Sequence, residues 1–247
     1  MEIIKSEGII LKKIPVLEAD VADIIYTQNH GKRTFIFKGI KKTKRRSLAA
    51  IEPGSIVYLV YYYNEQKAMF HVKELSLLMD TLSIRNNYQA MITLFLLLEV
   101  VEKTSGHNDP NKTIYQLLKG AIETLHKTDA YSFLALSFII HYLRLSGIMP
   151  DYFHCSVCHK EITDDMYLTE YQLTAYCNQC APNNAFIFKA IAPLIHEILA
   201  KKFLDINTSK YNPSDIQKIL FHTLLFIDHY FNIHIKTKEL LFSNTNL

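Results

Sequence analysis

All four cysteines of the chain lie in one stretch, "CSVCHKEITDDMYLTEYQLTAYCNQC", as Cys155, Cys158, Cys177 and Cys180. The pattern is C-x2-C-x18-C-x2-C. A two-residue spacer lets both thiolates of a pair reach one ion, and the eighteen residues between the pairs return the chain to close a tetrahedron. The pattern predicts a Zn2+ site. Four protein ligands saturate zinc and leave no open position, so the predicted role is structural. Other chemistries fit less well. "CSVCH" matches the c-type haem attachment pattern, but that needs an exported protein and leaves Cys177 and Cys180 unused. The start, "MEIIKSEGIILKK", lacks the basic and apolar regions of a secretory signal. Two disulfides do not suit a reducing compartment, and a thioredoxin-like motif wants a βαβ context that the pattern does not provide. His154 and His159 are read as flanking residues.

The second chemical feature is charge. "FKGIKKTKRRSL" (37–48) puts six cations, Lys38, Lys41, Lys42, Lys44, Arg45 and Arg46, into nine positions with no acid among them. Such a run is either a solvated connection or a contact for a polyanion. The first fifty residues hold eleven Lys/Arg against five Asp/Glu, whereas the rest of the chain has a net charge of −3. The basic character therefore belongs to the N-terminal fifth, which points to a polyanionic partner there. Lys12, Lys13, Lys32 and Arg33 would extend the cationic groove. Phe35, Phe37, Tyr58 and the Tyr61–Tyr63 run are candidate stacking platforms, or else core.

Catalytic signatures are missing. There is no G-x-x-x-x-G-K-[ST], G-x-G-x-x-G, G-x-S-x-G or H-E-x-x-H. Asp164 and Asp165 sit within the cysteine stretch, where solvent exposure explains them. His222, His229 and His234 lie on or after an apolar helix and read as core or surface. No catalytic residue is predicted, and the chain is read as a non-enzyme.

These groups need a scaffold. Residues 6–16, 22–40, 56–63 and 68–78 are β-rich, with a hairpin turn at "QNHGK" where Gly31 takes a positive φ. About five strands without a helical period predict a small antiparallel barrel or half-barrel, with the basic run joining its third and fourth strands. From Thr81 the period turns helical. Helices are predicted over 83–104, 112–128 and 129–147, the last with Asp129 as N-cap and Gly147 as its stop. Two more follow, over 187–205 and 212–234. The richest apolar runs, 90–101 and 130–143, are too short to span a membrane and read as core helices. A soluble, cytoplasmic protein is expected. The predicted class is α+β: a barrel domain at 1–79, then a helical domain at 80–247 with a zinc-binding insertion at about 151–183.

In this order the parts resemble the RecO family of bacterial DNA repair and recombination mediators. The matching features are "GIIL" at 8–11, "EAD" at 18–20, "HGK" at 30–32, the basic run after "KG", "EPGS" at 52–55, "RLSGIMPDYFHCSVC" at 144–158 and "FIDHYFNIHIKTKELL" at 226–241. Where the family often has a Gly pair before its second cysteine pair, this chain has "YQLTAYC"; some members lack the cysteines. The resemblance implies an OB-fold in the barrel. It implies binding of single- and double-stranded DNA, annealing of complementary strands, and help in loading recombinase onto DNA coated by single-strand-binding protein. The implied partners are RecR and the acidic C-terminal tail of that protein, and the implied place is the cytoplasm at the nucleoid. The alternatives are a zinc-containing adaptor for proteins or membrane surfaces with no DNA role, and an exported haem or thiol redox protein.

Overall fold

The computed structural model describes residues 2–14, 20–38, 48–64, 66, 69–169, 173–189 and 191–243. The chain forms two compact units, Met1–Lys127 and Thr128–Leu247. The first unit holds the first five strands and the first two helices.

Strands β1 (Glu2–Ile14), β2 (Val21–Thr27), β3 (Gly31–Phe37), β4 (Ile56–Tyr63) and β5 (Met69–Met79) close into a barrel in the order β1-β2-β3-β5-β4. The sequence predicts antiparallel strands throughout, but β3 and β5 run parallel, with Phe35 opposite Phe70. Five strands in a ring cannot all alternate in direction, so one parallel pair is unavoidable. Alternation along each strand sends Val21, Ile25, Phe35, Phe37, Val57, Leu59, Tyr61 and Phe70 to the interior, where all are buried. The β2–β3 turn is as the sequence predicts: Gly31 has φ of 60°. A Cβ there would also meet the Asp109 carbonyl oxygen at 2.4 Å, so the glycine answers both a left-handed turn and a close approach.

Helices α1 (Tyr88–Thr104) and α2 (Lys112–Leu125) complete the first unit. The first predicted helix begins at 83, but Asn87 is extended and its side chain accepts from the Ala90 N–H, so the α-helix starts there after a short 3-10 turn over Ile84–Asn86. Asn111 caps α2 through the Thr113 and Ile114 N–H groups. Glu7 of β1 ties α2 to the barrel. It accepts from Tyr115 Oη (3.1 Å) and from Lys119 Nζ (2.8 Å), and these bonds outweigh partial burial and hold its carboxyl below its ordinary pKa.

The second unit holds α3 (Tyr131–Leu145), the short sheet β6 (Met166–Leu168), β7 (Ala175–Tyr176) and β8 (Phe186–Phe188), then α4 (Ile191–Ala200), α5 (Pro213–Phe231) and α6 (Thr237–Phe242). Asp129 does not cap α3. Ala130 occupies that position, and Asp129 instead accepts from the Tyr131 hydroxyl. Gly147 ends α3 with φ of 71°, as predicted. Asn212 caps α5, Pro213 opens it, and Asn232 closes it in the left-handed region. No described helix is long and apolar enough to cross a membrane.

Candidate functional site

The cysteines come together. Strand order β7-β6-β8 places the second pair beside the first, and the Ser156 N–H donates to the Ala175 carbonyl at 2.9 Å to join the two knuckles. In the first knuckle the Cys155 N–H donates to Lys160 O, the His159 N–H donates to Cys155 O, and His159 takes φ of 58° to close the turn. In the second, the Cys180 and Ala181 N–H groups both donate to Cys177 O. The four sulfurs lie within 4.8 Å of one another, and Cys158 Sγ stands 3.7 Å from Cys177 Sγ. A tetrahedron with metal–sulfur bonds of 2.3 Å has sulfurs about 3.8 Å apart. The cluster has the dimensions of a four-thiolate metal site, and none of the four thiols is in a disulfide.

Its electrostatics ask for a cation. Burial raises the Cys155 pKa, but backbone N–H groups of Cys158, Cys177 and Val157 outweigh it and hold the thiol down at about 6. Cys180, hydrogen-bonded to Cys177 and crowded by the other sulfurs, is pushed up to about 12. A first thiolate is welcome there and a fourth is not, unless a metal ion compensates the charge. Neither expected flanking histidine joins the group: His154 turns its Nδ1 to Asp151 Oδ2 at 3.0 Å, and His159 is exposed. Asp164 and Asp165 are exposed. His222 is 9% exposed among the rings of Phe186, Phe188 and Phe221, so β8 of the cysteine module is packed onto α5.

The predicted cations divide into an exposed group and a buried pair. Register places Ile14 beside Ala22 and Val21 beside Phe37, so the ends of β1 and β3 share one end. Lys13 immediately precedes Ile14 and Lys38 immediately follows Phe37, whereas Lys12 is level with Ile24 and Thr34; all three are exposed. The segment with Lys41, Lys42, Lys44, Arg45 and Arg46 follows Lys38 in the chain and lies outside the described residues. Two of these lysines have acidic partners. Lys12 Nζ is 3.7 Å from Glu102 Oε1, and Lys13 donates to Glu52 Oε1 at 2.6 Å. Glu52 also accepts from Arg85 at 2.9 Å; burial opposes its charge, yet the two cations hold its pKa below the ordinary value.

Lys32 and Arg33 start β3, and each is only 7% exposed. Lys32 donates to the Glu102 carbonyl, and desolvation lowers its pKa against the pull of Glu102. The Arg33 guanidinium lies 5.0 Å from the centre of the Phe70 ring. Lys32 shares Glu102 with Lys12, but burial keeps it and Arg33 out of an exposed groove with Lys12 and Lys13. Of the aromatic candidates, Phe35, Phe37 and Tyr61 are core. Tyr58 is exposed, and Tyr62, four residues along the same strand, is partly so.

Sequence reasoning missed Asp23. It follows the parity of Val21 and Ile25 into the barrel, is fully buried, and neither of its carboxylate oxygens has a hydrogen-bond partner. Desolvation pushes its pKa up to about 8, against the neighbouring Lys13. The signal was an acid at an inward position of an otherwise apolar strand, "VADII".

The chain matches two family profiles, Recombination protein O N terminal over residues 1–79 and Recombination protein O C terminal over residues 85–239. It is 28% identical over 160 residues to a DNA repair protein RecO of Koribacter versatilis, covering 65% of each chain. It is 26% identical to a protein of that name from Leptospira biflexa, covering 83% of each, and 24% identical to one from Alkaliphilus metalliredigens, covering 85% of this chain and 87% of the other. With the first of these the match spans slightly less than two-thirds of the relative's length.

Proposed function

The chain belongs to the Recombination protein O (RecO) family, and from that premise we propose that it is a DNA-binding mediator of repair and recombination, not an enzyme. We read the barrel as an OB-fold, because its closed β1-β2-β3-β5-β4 circuit is a five-stranded Greek-key barrel of the type that binds single strands. The observation that carries the proposal is the acid-free run of six cations from Lys38 to Arg46 that follows β3 in the chain, with Lys12 and Lys13 of β1 also exposed.

Annealing brings two polyanions together, and their repulsion opposes it. Cations on the segment 38–46 hold one strand through its phosphates and lower the cost of admitting the second. Phosphate contacts carry no base information, so one site serves single and double strands of any sequence. Tyr58 and Tyr62 offer ring faces to unpaired bases. The same charge suits loading of recombinase onto DNA coated by single-strand-binding protein. We propose RecR and the acidic tail of single-strand-binding protein as partners. The tail needs an apolar surface edged with cations; among the cations of the first helices Lys119 is already held by Glu7. We propose Zn2+ as the ion of the four-cysteine site, where it fixes the two knuckles and performs no chemistry. We propose the cytoplasm, at the nucleoid, as its place, because that is where a DNA ligand would be met.

The test is salt-dependent binding of single-stranded DNA by the intact protein and by the Lys44→Ala, Arg45→Ala, Arg46→Ala triple variant. If about five phosphates are neutralised, log affinity falls against log salt with a slope of roughly −3.5, and the variant is shallower by about 2. The variant also anneals complementary strands more slowly. An unchanged slope and annealing rate would make the segment a solvated connection and favour the adaptor without a DNA role.

A further inference from the structure

The four cysteines are not equivalent, and the difference has a chemical consequence. Cys155 is fully buried. Cys177 and Cys180 are half-buried. Cys158 is exposed, next to Val157, which is 60% exposed at the tip of the first knuckle. A solvent-borne electrophile therefore meets Cys158 first, and the sulfur 3.7 Å away belongs to Cys177. Cys155 lies buried beneath the knuckle, out of reach of the solvent-borne oxidant. Resting on the metal reading above, we infer that Cys158 is an oxidant-accessible modification site, and that peroxide converts the metal cluster into a Cys158–Cys177 disulfide with release of the ion.

The chemistry balances. The Cys158 thiolate attacks one oxygen of hydrogen peroxide; the O–O bond breaks, giving the sulfenic acid and hydroxide. The Cys177 thiolate then attacks the Cys158 sulfur, the S–S bond forms, the S–O bond breaks and a second hydroxide leaves. Two thiolates have supplied two electrons, and peroxide has become two hydroxides. The sulfurs close from 3.7 Å to the ~2.05 Å of a disulfide, and the remaining two thiolates are too few to retain a tetrahedral ion. The effect reaches the helices, because β8 carries Phe186 and Phe188 against His222 of α5. Oxidation loosens the cysteine module and lowers the unfolding temperature of the second unit, and a thiol reductant with added zinc restores both.

The test uses the full chain purified with its metal. Hydrogen peroxide is added in small excess, released metal is followed with a chromogenic chelator, and disulfides are mapped by mass spectrometry. In parallel, unoxidised protein is treated with N-ethylmaleimide and each cysteine is quantified with time, which needs no variant. The expected results are one ion released per chain, a Cys158–Cys177 linkage, and alkylation of Cys158 about tenfold or more ahead of Cys155. Retention of the ion under excess peroxide, a linkage within either C-x2-C pair, or alkylation of Cys155 first would overturn the inference. Protein that carries no metal but still forms the Cys158–Cys177 disulfide would refute the metal reading and sustain the modification site; no metal and no such disulfide would refute both.

Discussion

Replacing Asp23 with Asn should change how the stability of this protein depends on pH. Asp23 is fully buried inside the barrel, its oxygens have no hydrogen-bond partner, and its pKa is pushed up to about 8 by desolvation. In the unfolded chain the same group titrates near 3.8. Between those values the folded protein holds a proton that the unfolded chain has released, so stability falls as pH rises. The slope is about 1.4 kcal/mol per pH unit, close to 3 kcal/mol between pH 5 and pH 7. Any folded value above 7 gives the same slope in that window, which makes the prediction insensitive to where the titration ends. Other groups act in the opposite sense. His30 and His141 have pKa values lowered chiefly by desolvation, and each adds stability as pH rises through the ordinary histidine range. The informative quantity is therefore the difference between wild type and Asp23→Asn, in which their contributions cancel. Urea unfolding followed by far-ultraviolet circular dichroism at pH 5, 6 and 7 measures it. The Asn variant should gain on wild type with each unit. If the two lose and gain stability in parallel, Asp23 is ionised in the fold, and water or a cation reaches it.

Three other expectations follow from the same structure. Cys177→Ser should lose the metal, loosen the cysteine module and lower the melting temperature, because binding and local folding are linked; elemental analysis showing full metal content in the variant would refute the ligand set. Tyr58→Ala with Tyr62→Ala should weaken single-stranded DNA binding by about 1–3 kcal/mol per lost stack while leaving the salt slope unchanged, and a changed slope would mean the rings act through the cations. Asp228 accepts from Lys238 Nζ at 2.6 Å and from the Ile235 N–H at 2.8 Å, and Lys238 is only 8% exposed. Asp228→Ala should therefore cost about 3–5 kcal/mol by stranding a buried ammonium, and Asp228→Ala with Lys238→Met should recover much of it; calorimetry on both variants checks the pair.

Most of the scaffold was legible because its signals are local. Alternation along "TFIFK" located β3 and put Phe35 and Phe37 on one face, which proved to be the core, a glycine fixed the hairpin turn, and C-x2-C spacing brought the four sulfurs to metal distance. What was not legible depends on residues distant in the chain. Lys32 and Arg33 look identical in type to Lys12 and Lys13, and only closure of the barrel and the arrival of α1 decide that the first pair is buried. Residue type could not show that Glu102, seventy positions away, supplies the carbonyl that receives Lys32. The start of α3 failed for a smaller reason: Asp129 is a good cap by type, but the helix begins one residue later, and its carboxylate found the Tyr131 hydroxyl.

The acidic partners of Lys12 and Lys13 bear on where DNA affinity comes from. A cation on an empty surface displaces a condensed counterion when it meets a phosphate, and each such event adds about 0.7 to the salt slope for a single strand. Lys13 is already neutralised by Glu52, which Arg85 also holds, and Lys12 faces Glu102. To engage a phosphate, either lysine must give up a carboxylate or share it, leaving that acid near the DNA backbone. The gain is then the difference between two charge-assisted contacts, not the whole of one. Lys38 and the five cations after it lie in a stretch that contains no acid. The weight of the proposed interface therefore falls on that segment, with the β1 lysines fixing its position more than its strength. Charge removal separates the two contributions: Lys12→Ala with Lys13→Ala should change the slope by well under the ~1.4 expected of two free cations, whereas Lys41→Ala with Lys42→Ala should approach that value.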